Sequence, residues 1–540
     1  MRPLLERLGD LLPSAIALAL PTAFLPAAQD SFILPRASIV IAGACLGAGA
    51  ALLTPGGPGL GRLRRPVAAS AAAAVLAFLL SISWPLGLAG AYTRYESLPM
   101  RVGYLGLLAA GVWLLRTNRS RDRLAAAFVF GTSVACLEAL LQAAGHVFFR
   151  PDGNLGNANL LGALIAMALP LAVAHGLRGG RFTLAWWIGV ATMAGGLVAT
   201  TSRSGALGAL AGCLALIVFA LRGRLAAGAA VGAAAVIAGS LVLILLSPLR
   251  ALNDDPGPTR VHLWQDAAHM IAARPLTGWG EDSTGLALGQ FLSSDWSPGV
   301  TFDRVHSGPL DIAAAQGLLG LAALAWLLVI LFRGAWRWRF SGSVAALSAA
   351  CVGYTVWVLF NFDWAPATGA FWLLAGATWS GVQAAEGELV PTAATRSPVM
   401  PARAWWRSGL AVVMALAAVW LGAMPLLADV WYDHGRADLS VVVDPLQARY
   451  HWALGQGLAA QGSVARGVEE MKRAAELGET EPSLYVELGD REAQLGRSTA
   501  ARGDYLRALA IDPYFSPARQ RLAAAERSAT QPVKNQAGVS

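Results

Sequence analysis

Apolar and polar positions follow one another along this chain in long blocks. Mostly apolar runs fall at roughly 11–28, 36–53, 66–83, 99–115, 124–146, 158–177, 182–200, 204–221, 225–247, 308–332, 341–360, 366–384 and 407–428. A spanning helix needs about 20 such residues, so the pattern predicts 12 or 13 membrane spans. Pro13, Pro21 and Pro26 interrupt the first, and the eighth is short. Backbone polar groups in lipid must bond within their own segment, so every span is expected to be a helix.

Two stretches break the pattern. Ser247–His306 is the longest interval between apolar runs before the tail. Within it Val261, Trp264, Ala268 and Ile271 form one apolar stripe at helical spacing. Pro256 and Pro258 precede the stripe and Pro275 follows it. The stretch Arg260–Ala273 is therefore expected to be an amphipathic helix, lying on the membrane or over the bundle. From about 430 the chain carries a repeat of 34 residues: Leu454-Gly455 recurs as Leu488-Gly489, Gly462 as Gly496 and Ala474 as Ala508. Ala501, Tyr505 and Pro513 add the spacing of a tetratricopeptide repeat. Such repeats are helix pairs that bury their apolar faces by stacking. They serve either as a docking surface for a protein partner or as a cap on the membrane domain. The expected architecture is all-α: a polytopic membrane helix bundle over 1–429 containing the large loop 247–306, a C-terminal α-helical tetratricopeptide solenoid over 430–527, and a disordered tail over 528–540.

Composition agrees with the pattern. Hydrophobic residues make up 56% of the chain and charged residues 14%, with mean hydropathy +0.52; a soluble chain carries about a quarter charged residues. The net charge of +8 does not point to nucleic acid, because the arginines sit in short clusters between apolar runs. With the N-terminus inside, the inner loops carry Arg62, Arg64 and Arg65; Arg116, Arg119, Arg121 and Arg123; Arg178 and Arg181; Arg222 and Arg224; and Arg333, Arg337 and Arg339. The short outer loops carry only Arg36, Arg94, Arg150 and Arg203. This bias sets the long loop and the tail outside the cytoplasm. Arg2 and Arg7 before an apolar run resemble a signal peptide, and an uncleaved first helix is the better reading with so many spans behind it. Cys45, Cys136, Cys213 and Cys351 all fall in apolar runs, which argues against a disulfide scaffold and a thiolate metal site.

Polar residues beside spans are costly and mark function, and here they gather at the outer ends. Glu138, Gln142 and His146 recur every fourth position of the fifth span, on one helix face. Asn154, Asn157 and Asn159 lie at the mouth of the sixth. Arg203 stands in a tight turn among Thr200, Thr201, Ser202, Ser204 and Gly205. A helix N-terminus, small hydroxyls and a guanidinium make an anion site, which we favour over a snorkelling interface arginine. Arg260 opens the loop helix. Trp279 lies between two glycines before Glu281, able to stack on a sugar or to anchor at the interface. His306 closes the loop, and an imidazole is suited to accept a proton from a sugar hydroxyl. Asp311 follows near the start of the tenth span. Neither a glycine-rich phosphate loop nor metal-ligand spacing is evident, nor the mid-depth charges of a transporter.

Four motifs in order, GNANLLG, TSRSG, TRVHLWQDAAHMIAARPLTGWGEDS and VHSGPLDIAAAQGLLG, resemble the O-antigen ligase and polymerase family of bacterial surface-polysaccharide enzymes, over about 150–385. Family members often show His-Asn where this chain has His306-Ser307. The resemblance implies a GT-C-like, inverting, metal-independent and cofactor-free glycosyltransferase of the bacterial inner membrane. Its donor would be a polyprenyl-pyrophosphate-linked glycan and its acceptor a glycan, lipid or protein. Arg203 and Arg260 would hold the pyrophosphate and His306 would act as base. Asn157, Asn159, Ser202, Trp279, Glu281, Glu138 and Asp311 would contact substrate or orient His306. O-antigen ligase, surface-polysaccharide polymerase and protein O-oligosaccharyltransferase all stay open. The competing class is a polysaccharide exporter or a membrane-anchored tetratricopeptide scaffold.

Overall fold

The computed structural model describes residues 2–53, 59–246, 257–296, 302–387 and 404–530 of the 540. Its first half contains α1 (Arg2–Thr22), α2 (Ile33–Leu53), α3 (Arg64–Leu79), the short α4 (Trp84–Ala89), α5 (Leu98–Leu114), α6 (Asn118–Ala144), α7 (Ala158–Arg178), α8 (Thr183–Thr200), α9 (Arg203–Ala220) and α10 (Gly223–Leu246). The loop holds α11 (Gly257–Ala273) and α12 (Thr284–Ala287), and α13 (Gly308–Arg337), α14 (Val344–Val358), α15 (Ala365–Ala385), α16 (Ala404–Ala418) and α17 (Met424–Asp433) follow. The C-terminal part is α18 (Ala437–Val443), α19 (Ala448–Ala460), α20 (Val464–Glu476), α21 (Pro482–Gln494), α22 (Ser498–Ile511) and α23 (Ser516–Thr530). No strand occurs among the described residues. Eight helices are long and apolar enough to cross a membrane, and shorter apolar helices stand at Leu11–Thr22, Leu98–Leu114 and Val344–Val358. With α3 and α15, every apolar run read from the sequence coincides with a helix. All four cysteines are free.

The bundle is held by close backbone approach. Helix association in lipid depends on packing, which favours small residues at the contacts. A Cβ on Gly205 of α9 would come within 2.7 Å of the Gly162 Cα of α7, so the two helix starts lie side by side. Helix α7 is the most enclosed of the candidate spans, with 78% of its apolar window buried, whereas α10 stands at the rim.

Contacts between loops sort into two ends. At the arginine-rich end Arg62 pairs with Glu386 at 3.1 Å, Arg121 reaches Leu115 O and Ser380 Oγ, and Arg178 donates to Gly342 O. At the other end Arg36 donates to Asn154 O, Asp282 accepts from Ala91 N, and Arg101 pairs with Asp363. The alternation of loops that the charge bias implies is thus matched by which loops touch.

Several local expectations change. Helix α13, read as one span, breaks at Gly317, whose φ of +68° lies in the left-handed region. The loop backbone enters the break: Leu318 N donates to Pro275 O at 2.7 Å, and Trp279 N and Gly280 N donate to Ala314 O and Ala315 O at 2.9 Å. A side chain at 317 would collide with the Leu276 carbonyl, which leaves room only for glycine. In α11 the buried stripe is Leu263, Ala267 and Met270, while Val261 and Ala268 are exposed. Asp266 lies on that buried face and hides it from a hydropathy pattern. Helix α6 ends at Ala144, so His146 leaves the face shared by Glu138 and Gln142. Helix α23 reaches Thr530, into the stretch read as disordered, and the rest of that stretch lies outside the described residues. So do 247–256 and 297–301 of the long loop and 388–403 between α15 and α16.

The repeat is visible as geometry. Helices α19, α21 and α23 start 34 residues apart, as do α20 and α22. Their core holds Trp452, Met471, Leu484, Tyr485 and Leu488. This domain rests on the long loop: Tyr514 donates its hydroxyl to Ser293 O at 2.9 Å, and Gly289 lies directly against the Ile511 carbonyl.

Candidate active site

The start of α9 is built before Arg203 is placed. Thr201 adopts φ +51°, and Ser202 then caps α9 by accepting from Gly205 N at 3.2 Å. Ser202 Oγ donates to Asn159 Oδ1 at 2.9 Å. Asn159 Oδ1 also accepts from Arg150, and Asn159 O accepts from Trp357 Nε1 at 3.1 Å. Asn157 caps α7, accepting from Asn159 N at 2.8 Å. Asn157, Asn159 and Ser202 therefore hold two helix N-termini together, with Arg203 half-buried at the first position of α9. Two helix N-termini and a guanidinium give one positive corner.

Arg260 and His306 are held from the loop. Arg260 Nη1 donates to Phe360 O. Trp264 Nε1 donates to Val305 O at 3.1 Å, and Val305 N donates to Asp311 Oδ1 at 3.0 Å, gripping the residue before His306 from both sides. His306 itself has φ +57°, and its ring meets Phe362 edge-on with centroids 5.2 Å apart. The 359–364 connector between α14 and α15 contacts two of the three residues, Phe360 taking Arg260 and Phe362 taking His306, and Trp357 at the end of α14 reaches the Asn159–Ser202 corner that precedes Arg203. No motif in the sequence marks this connector.

The remaining candidates lie elsewhere in the construction. Glu281 is fully buried between Arg101 Nε at 3.1 Å and Gln316 Nε2 at 2.7 Å. Trp279 is half-buried, its indole donating to Met270 O and its face covered by Arg274 at 4.4 Å. Asp311 positions the His306 turn through Val305. Glu138 is exposed on α6, one turn from Gln142, which clasps Asp152 and Gly153. Among the described residues no three His, Cys, Asp or Glu side chains are grouped to hold a metal ion.

A buried charge network underlies the site. Arg101 Nη1 meets Asp363 at 2.5 Å and Glu96 at 3.5 Å, besides Glu281 on Nε. Tyr104 donates to Glu96 and Tyr354 to Asp363. Asp282 pairs with Arg304 and accepts from Ala91 N and Glu96 N. The signal for it was a charge, Arg101, inside an apolar run. Among the described residues six non-glycine positions have positive φ, and Thr93, Tyr95, Thr201, Asp282 and His306 of them adjoin this end. Strained backbone of this kind concentrates at functional sites.

Burial pushes the Glu96 carboxyl up to about 7, against the pull of Arg101. The folded protein then binds this proton more tightly than the unfolded chain. Stability should fall as pH rises from about 4.5 to 7 and level off above. Glu96→Gln should shrink the difference between melting temperatures measured at pH 5 and pH 8. Equal differences in both proteins would refute the assignment.

Residues 188–325 match the family model described as O-Antigen ligase, a stretch that includes Arg203, Arg260 and His306. The chain is 28% identical over 323 residues to an O-antigen ligase of Pseudomonas aeruginosa, covering 56% of this chain and 72% of that protein. The C-terminal helix pairs lie beyond the family match.

Proposed function

We propose that this chain, a multi-pass inner-membrane protein that both matches support as a member of the O-antigen ligase family, moves a glycan from a polyprenyl-pyrophosphate donor to an acceptor hydroxyl on the extracytoplasmic side. The observation that carries this reading is that Arg260 and His306 both contact the 359–364 connector, while Trp357 just before it bonds to Asn159, whose side chain takes the Ser202 cap preceding Arg203, at the end away from the arginine clusters. Arg203, with the two helix N-termini, and Arg260 bind the pyrophosphate. His306 takes the acceptor proton as the acceptor oxygen bonds to the anomeric carbon. The bond from that carbon to the phosphate oxygen breaks, and its electron pair leaves with the polyprenyl pyrophosphate. Attack opposite the leaving group inverts the anomeric centre. The guanidinium groups carry the developing charge, a role that requires no metal ion.

The C-terminal domain reads as a tetratricopeptide type. Its seat on the long loop favours bracing of that loop over a freely offered docking surface. The test is reconstitution with a lipid-linked oligosaccharide and three acceptors: a lipid core, a second lipid-linked repeat unit and a protein. Product on one acceptor distinguishes ligase, polymerase and protein transferase. Arg203→Ala and Arg260→Ala should each lower transfer by about 10²–10³-fold. Unchanged transfer by both would overturn the assignment in favour of an exporter or scaffold.

A further inference from the structure

We propose that Arg94 is a further anion-binding residue of this site, holding a substrate oxyanion, phosphate or carboxylate, beside His306. The inference rests on the transfer reading above and adds a residue that no sequence motif marked. Arg94 lies in the connector between α4 and α5. Its guanidinium carbon stands 4.6 Å over Trp364 and 5.0 Å over Phe362, the ring that also meets His306. Its Nε pairs at 2.5 Å with Asp303, three residues before His306.

The backbone around it is over-determined. Thr93 and Tyr95 on either side have φ +69° and +56°. Asp282 holds Ala91 N and Glu96 N, and Trp364 Nε1 holds Thr93 O at 2.9 Å. Two left-handed residues flanking one arginine carry a strain cost that a mere surface loop would shed.

The use of its donors sets Arg94 apart from the structural arginines at this end. Arg36 spends its guanidinium on the carbonyls of Leu20, Phe32 and Asn154, and Arg101 spends its own on three carboxylates. In Arg94 Nε is bonded, while among the described residues Nη1 and Nη2 donate to no protein acceptor. The side chain remains partly exposed, at 21%. A guanidinium already immobilised on two rings keeps a planar fork ready for two oxygens and loses little further entropy on binding them.

The test uses the full chain in proteoliposomes, with Arg94→Gln and Arg94→Lys. KM is measured for the lipid-linked donor and for the acceptor, together with inhibition by inorganic pyrophosphate and the melting temperature. Arg94→Gln should raise one KM by about tenfold or more, as expected for a lost hydrogen bond to a charged group, with the melting temperature nearly unchanged. Arg94→Lys should recover part of the loss. A shifted donor KM with weakened pyrophosphate inhibition identifies the donor diphosphate. A shifted acceptor KM with unchanged inhibition identifies an anionic acceptor group. Wild-type KM values for both substrates would overturn the proposal, and so would a lowered melting temperature with both KM values intact, which marks a structural clamp. If Arg94→Gln does not fold, Arg94→Lys carries the same readouts, since it keeps the charge without the fork. His306→Asn separates the two levels: its normal activity would sink the transfer reading, whereas loss of activity there with wild-type KM in Arg94→Gln sinks only the role of Arg94.

Discussion

Replacing His306 by asparagine is expected to lower glycan transfer by about 10²–10⁴-fold, the range that a positioned general base contributes. Asparagine is the informative substitution because His306 has φ +57°, a conformation that asparagine tolerates and alanine resists. The variant removes the imidazole without adding backbone strain. The grip of Trp264 and Asp311 on Val305 is a backbone contact and survives the change. The melting temperature should therefore stay close to wild type while the rate collapses. A rate within a few-fold of wild type, with the fold intact, would remove His306 from the chemistry.

Arg101→Met is expected to have the largest effect on stability, a loss of about 3–5 kcal/mol. Arg101 is buried among Glu96, Glu281 and Asp363, so its removal leaves the fully buried Glu96 and Glu281 carboxylates without a counter-charge. Because those carboxylates come from the α4–α5 connector, the long loop and the α14–α15 connector, the loss should loosen all three together. Size-exclusion profiles and melting curves in detergent would register it. A variant that also carries Glu281→Gln and Asp363→Asn should regain much of the stability, since it is the uncompensated charge that costs most. Wild-type melting of Arg101→Met alone would show the network to be hydrated.

The residues named from the sequence divide by how local their signal was. Arg203 was legible because a cation in a tight turn among small hydroxyls is unusual within a short window. His306 and Arg260 stand out more weakly, by their places at the close of the long polar loop and at the start of its helix, and the order of motifs adds the roles proposed for them. Asn157, Asn159 and Ser202 are expected from the sequence as substrate contacts, and the fold also gives them capping work, Asn157 at the start of α7 and Ser202, bonded to Asn159, at the start of α9. Glu281 was named for the same reason and is enclosed by Arg101 and Gln316. Type and position in sequence could not tell a polar group facing a cleft from one facing a partner.

Hydropathy was sufficient for the helical character of the chain and the positions of its apolar helices, and arginine bias for which loops lie together at one end. Each of these follows from the transfer free energy of a contiguous stretch or from its charge, which are properties of neighbours in sequence. The 34-residue spacing of the C-terminal helices was likewise readable as periodicity. The break at Gly317, the rotated face of α11, the Arg101 network and the connector that meets both Arg260 and His306 were decided only by the folded chain. Each depends on which distant backbone arrives to fill a gap or satisfy a charge, and that is settled by packing across the bundle.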